Sequence, residues 1–169
     1  TPLPGEPARA YVLRVARNKA EHVAQSLADG RVVLAADTVV VAGERLMGKP
    51  AGESEAASML RSLSGTVHEV HTAVVVVSRG RALEDVVTTR VRFNPLTESE
   101  IAWYVGTGET AGKAGAYAIQ GLAARFIDRI EGSWSNVVGL PISTVYRLLS
   151  GAGAGIPSAP SDAIDRVER

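Results

Sequence analysis

Residues 33–50 read VLAADTVVVAGERLMGKP, with one acid, Asp37, inside an apolar run and one base, Lys49, just past the turn that follows. Alternation along a strand puts Val33, Ala35, Asp37, Val39 and Val41 on one face, and Leu34, Ala36, Thr38 and Val40 on the other. Asp37 therefore falls in the middle of a face, not at a frayed end. An unpaired carboxylate buried there would cost several kcal/mol or would have to protonate. Two readings are open on the residues alone. Either Asp37 marks a strand end or bonds a neighbouring backbone amide, or it answers a cation or ligand in a functional site.

The rest of the chain bounds what such a site can serve. At 169 residues it suits one domain with a substantial core, and 46% hydrophobic with 21% charged residues is ordinary for a soluble globular protein. Lys+Arg and Asp+Glu are both 18, so no global basic field favours nucleic acid as a partner. There is no cysteine, which excludes disulfides and thiolate metal sites and fits a reducing compartment. The longest uncharged apolar runs, such as Thr72 to Ser78, fall far short of the ~20 residues a membrane helix needs, and no signal-peptide pattern opens the chain. The expectation is a soluble, cytoplasmic protein with no membrane partner. The sequence opens on Thr1 and not on methionine, so its natural start is expected to be missing or processed.

Outward from the central stretch, local chemistry predicts the elements. Pro7 fits the first turn of a helix that runs to about Ala28 before Asp29-Gly30; Val12, Val15, Ala16, Val23 and Leu27 form its apolar stripe, with Lys19 in the middle. The Lys19 amine either snorkels to solvent or points into a cleft and meets an anion. A turn at Ala42-Gly43-Glu44 precedes Gly48-Lys49-Pro50, and a short helix over 54–63 follows, capped at Gly65. Residues 69–77 and 83–93 read as β-branched strands joined in a hairpin across Ser78-Arg79-Gly80-Arg81, so the sheet is at least partly antiparallel. Thr97-Glu98-Ser99-Glu100 is a capping box that opens a helix to about Val105. Residues 113–121 form a small-residue loop, 125–130 another strand, and Pro141 starts a last helix through Leu149. Composition then shifts to Gly, Ala, Ser and Pro, giving one domain over 1–150 and a flexible tail over 151–169, with a helical turn allowed at 162–169.

Metal ligation by histidine is disfavoured. His68 and His71 are three apart and fall on opposite strand faces, and His22 lies on the polar side of its helix. There is no phosphate loop, no dinucleotide fingerprint and no G-x-S-x-G elbow. Gly112, Gly115 and Gly121 bracket Lys113, Tyr117 and Gln120, where backbone either approaches a ligand closely or makes plain tight turns. What remains is one strand carboxylate, three lysines at Lys19, Lys49 and Lys113, and the Gln120 amide. Lysines neutralise phosphate oxygens, a carboxylate holds a divalent metal or takes a proton from water, and an amide reads a base edge. The set points to a phosphate-ester or nucleotide site.

Four ordered blocks say more: AADTVV with GKP within 35–50, LSGTVHEVHT at 63–72, GETAGKAGAYAIQG at 108–121 and GSWSNVVGLP at 132–141. Together they resemble the Maf family of nucleotide pyrophosphatases, long labelled septum-formation proteins, over about residues 11–149. The resemblance implies an α/β fold of two lobes, with an elongated, mixed and partly antiparallel sheet and a nucleotide cleft between the lobes, related to inosine triphosphate pyrophosphatases. It implies hydrolysis of a nucleoside triphosphate to the monophosphate and pyrophosphate with a divalent metal cation, Mg or Mn, and a homodimer. Residue by residue, Asp37 matches the proton acceptor and is the candidate metal ligand, Lys19 and Lys49 match phosphate-facing lysines, and Thr38 and Gln120 match positions tied to base choice. Lys113 is a further candidate phosphate contact. The IQG form at 119–121 looks like the dTTP/UTP branch, since the 7-methyl-GTP branch carries glutamate at the place of Gln120.

Two departures stand against the family pattern. A first strand, a Ser-x-Arg-Arg turn, a helix and an acidic residue are expected ahead of this sequence, and Gly112 replaces an aspartate common in relatives. Two alternatives to the main reading are a nucleotide-binding regulator of cell division with little turnover, and a house-cleaning pyrophosphatase for modified nucleotides.

Overall fold

The computed structural model describes residues 1–27 and 31–154. Along the chain run α1 (Ala8–Ser26), β1 (Val33–Ala42), β2 (Arg45–Met47), α2 (Glu53–Leu63), β3 (Val67–Ser78), β4 (Arg81–Phe93), α3 (Glu98–Gly106), β5 (Ile127–Glu131), α4 (Trp134–Val138) and α5 (Ile142–Gly151), an α/β architecture. The five strands form one sheet in the order β2-β1-β3-β4-β5. Valine and threonine dominate its long central strands, as pleated packing favours. Between β3 and β4 the turn is two residues, with Arg79 at φ 50° and Gly80 at φ 74°, the left-handed pair that matches the twist of a tight hairpin.

Every strand pair among the described residues is antiparallel, so they build the antiparallel part of the expected mixed sheet and no parallel pair. The reason is β2, a strand too short to show alternation in sequence. It turns the chain back along β1, and α2 then carries it over to β3. Thus β2 and β3 run the same way but flank β1, and never bond each other. Further differences are local. Arg125 and Phe126 belong to a 3₁₀ turn (Leu122–Phe126), so β5 starts later than expected, and SWSNVVGLP contains the short helix α4. The last helix runs on to Gly151. The stop at Asp29-Gly30 and the tail beyond Ala154, with its 162–169 turn, lie outside the described residues.

Among the described residues helix α1 alone covers the face that carries Val33, Asp37, Val39, Ala73 and Val75. Its buried seam is Val12, Ala16 and Ala20, flanked by Leu13, Ala24 and Leu27, whereas Val23 of the expected stripe is 44% exposed. Alanine is a weak marker of an apolar face, yet here its small side chain lets the helix lie close on the sheet. The opposite face is covered in three parts. At one end α5 sets Leu148 on Val74 and Val76. At the other, α2, α3 and the 113–126 segment enclose Phe93, Tyr104, Leu60 and Phe126 in the main core, with Phe93 and Tyr117 rings edge-on at 4.9 Å. The capping box at Thr97 is formed, Thr97 N–H donating to Glu100 at 2.8 Å and Glu100 N–H to Thr97 Oγ1 at 3.3 Å.

Helix α4 sits between these two parts and is tied down by polar contacts. Fully buried Asn136 donates from Nδ2 to Val70 O at 3.0 Å and to Thr89 Oγ1 at 2.9 Å, and its backbone carbonyl accepts from Thr72 Oγ1 at 3.1 Å. Buried donors of this kind hold a single arrangement because losing their acceptors is costly. Asn136→Ala is expected to lower unfolding free energy by about 2 kcal/mol, read as a lower urea midpoint at unchanged slope.

Candidate functional site

Strand β1 is paired with β2 only from Val40 to Ala42, so toward its start the outer edge has no strand beside it among the described residues. Asp37 and Thr38 lie on that open stretch and point to opposite faces, being opposite Ala73 and Thr72 of β3. On the helix side, Lys19 reaches Asp37: Nζ to Oδ1 is 2.6 Å, with the two side chains 52% and 18% exposed. The acid meets a cation in mid-strand, and the stripe lysine meets an anion, which is the protein's own carboxylate. Half in water, the pair adds at most about 1 kcal/mol to stability.

On the other face Thr38 Oγ1 shares a 2.9 Å hydrogen bond with Thr72 Oγ1 and approaches Gly139 O at 3.5 Å. A cavity of about 240 Å³ wraps this edge, and Lys19, Asp37, Thr38, Lys49, Lys113 and Gln120 all line it. Thus the six site residues expected from sequence share one cavity. Three lysines against one carboxylate give its lining positive charge, which attracts a polyanion. Val40 and Val70 add apolar surface, and Val137 to Gly139, just beyond anchored Asn136, line it as well.

The loops that deliver Lys49 and Lys113 are joined, Gly115 N–H donating to Gly48 O at 3.1 Å. Gly115 has φ +68°, and a Cβ there would come within 2.9 Å of Val40 Cγ2. The close approach foreseen for this glycine is therefore to the protein's own strand. Gly112, at φ +71° with open space around it, is a plain turn.

Sequence reasoning passed over two supports of the cavity. One is Thr72, whose hydroxyl among β3 valines is the same kind of signal as Asp37 in β1. The other is the pair of His68 Nε2 and Tyr117 OH, 2.9 Å apart, with Tyr117 lining the cavity. His68 and His71 do face opposite sides of the sheet, His71 Nδ1 bonding Thr88 Oγ1 at 2.9 Å. Burial lowers His68 to a pKa of about 4 and raises the Tyr117 hydroxyl. Asp37 is the cavity's one carboxylate among the described residues, and no cluster of three His, Cys, Asp or Glu is placed there to hold a metal. That donor set fits a cation held mainly by water and substrate phosphates, as Mg²⁺ commonly is. Among the described residues no helix is long and apolar enough to cross a membrane.

The profile of the family described as Maf-like protein matches residues 1–152. The chain belongs to the Maf family. A curated Maf relative from Anaeromyxobacter sp. (strain Fw109-5), named dTTP/UTP pyrophosphatase, is 55% identical over 159 residues, 91% of this chain and 75% of the relative. Proteins of the same name are 49% identical in Myxococcus xanthus (strain DK1622), over 93% of this chain and 79% of theirs, and 48% identical in Bordetella avium (strain 197N), over 91% and 79%.

In this Maf chain His68 is neutral when folded, while the unfolded chain takes up the proton near the ordinary pKa of 6.5. The folded pKa is depressed, so this stability is present above 6.5 and is lost as pH falls toward 4. Urea unfolding should show the wild type losing about 2 kcal/mol more than His68→Leu between about pH 7 and about pH 5.

Proposed function

We infer that this chain hydrolyses dTTP and UTP to the nucleoside monophosphate and pyrophosphate. The observation that carries the reading is the convergence of Asp37, Lys19, Lys49, Thr38 and Gln120 on one cavity. The names of the relatives at 48–55% identity supply the substrate class.

A water molecule beside Asp37 gives a proton to its carboxylate and attacks the α-phosphorus, and the anhydride bond to the β-phosphate breaks with pyrophosphate leaving. Lys19 spends one N–H on Asp37 and a longer one, at 3.5 Å, on Ala36 O, which leaves a third for a phosphate oxygen, so it both orients the base and offsets charge. Lys49 and Lys113 act on the same polyanion as point charges already in place before the transition state forms. Asp37, with substrate phosphates, would hold the divalent cation, Mg or Mn, which supplies further charge neutralisation when bound.

The Gln120 amide offers one donor and one acceptor, matching a carbonyl and the N3–H on the edge of uracil or thymine. Thr38 is kept in place by Thr72 on the far side of β1 from Asp37, so one strand serves both the reacting group and the selecting one. A glutamate at 120 would lose the donor and bring a negative charge to a carbonyl.

Pyrophosphate release from UTP with Mg²⁺ or Mn²⁺ tests the reading. Asp37→Asn should lower kcat by ~10³-fold with the urea midpoint nearly unchanged, because the freed Lys19 stays hydrated; near-normal turnover removes Asp37 from its role. Gln120→Glu should cut kcat/KM for UTP by at least about tenfold, whereas an unchanged substrate profile removes Gln120 from base selection.

A further inference from the structure

Gln120 is exposed in the cavity, so where its amide points depends on the backbone that carries it. That backbone is gripped on both sides by the segment that begins with α3. On one side, Ala118 N–H donates to the fully buried Tyr104 hydroxyl at 3.1 Å. On the other, the carboxylate of Glu109, in the turn after α3, accepts from Leu122 N–H at 3.0 Å to Oε1 and 2.9 Å to Oε2. Between them Gly121 N–H closes onto Ala118 O at 3.0 Å.

Gly121 shows how closely the carboxylate lies over the turn. A Cβ at this position would lie 1.7 Å from Glu109 Oε1 and 2.5 Å from its Cδ. Its φ of −110° is negative, and the close neighbour at this position is the Glu109 carboxylate. A side chain at 121 and the carboxylate of 109 compete for one volume, and the sequence resolves the conflict by deleting the first.

We propose that Glu109 is a positioning residue for base selection: its carboxylate, seated on Gly121 and bonded to Leu122 N–H, fixes the turn that presents Gln120. The role rests on the substrate reading above, and it adds a residue that touches neither substrate nor metal. Because the grip acts on the selecting amide and not on Asp37, losing it changes KM and base preference more than kcat. The conservative glutamine keeps an acceptor for Leu122 N–H and the same shape over Gly121.

The test compares UTP with CTP, whose base edge exchanges a donor and an acceptor. Kinetics of pyrophosphate release are joined by Kd values for the non-hydrolysable α,β-imido analogues of both nucleotides. Glu109→Ala should lower kcat/KM for UTP about tenfold, mainly through KM, while CTP changes less than about twofold, so preference shrinks. Glu109→Gln should recover UTP to within about threefold of wild type, a rescue that lost bulk alone would not give. Gly121→Ala should reproduce Glu109→Ala, and the double variant should be no worse than either single one. Unchanged UTP preference in Glu109→Ala, or equal losses for UTP and CTP with a lower Tm, overturns the proposal while leaving the substrate reading intact. A wild type that binds but does not hydrolyse UTP overturns the reaction instead, and the analogue Kd ratio still decides the role of Glu109. If the wild type binds neither analogue, both fall.

Discussion

Neighbouring residues of a β-strand point to opposite faces, and the site depends on that constraint at Asp37 and Thr38. In the middle of a sheet the two side chains would be separated by backbone and by the flanking strands. Among the described residues they lie on the stretch of β1 that β2 does not cover, and both line one cavity. An acid held by a helix lysine and a hydroxyl held by a threonine pair then share a single opening.

Each side of that edge has its own support. On the α1 side it is an ion pair half in water, cheap to rearrange. On the other it is buried and hydrogen-bonded: Thr38 rests on Thr72, Thr72 on the backbone of Asn136, and the Asn136 side chain on Val70 and Thr89. One support is adaptable and the other is rigid.

What the sequence made legible was chemistry local in the chain. The capping box at Thr97, the turn at Arg79-Gly80 and the alternation that parts Asp37 from Thr38 each depend on a few consecutive residues. Which residues line one cavity was legible through the ordered blocks, although they lie far apart. Pairings made by tertiary approach were not. Nothing near Asp37 says that Lys19 is its partner, since that contact requires α1 to cross β1; His68 and Tyr117 meet only because the 113–121 loop folds against β3. The three-residue β2 and five-residue α4 are too short for periodicity to register, and an alanine seam in α1 carries little apolar signal.

That seam sets a distance. Ala16 and Ala20, both fully buried, bracket Lys19 along α1, and their small size fixes how near the helix axis comes to the sheet. A lysine side chain has a limited length, so the height of the helix decides whether the ammonium touches Asp37 or falls short of it. The alanines act as spacers whose thickness is calibrated to the reach of a side chain on the neighbouring turn. A bulkier residue at either position would lift the helix and part the ion pair, altering the electrostatics of the cavity from a place that never contacts it.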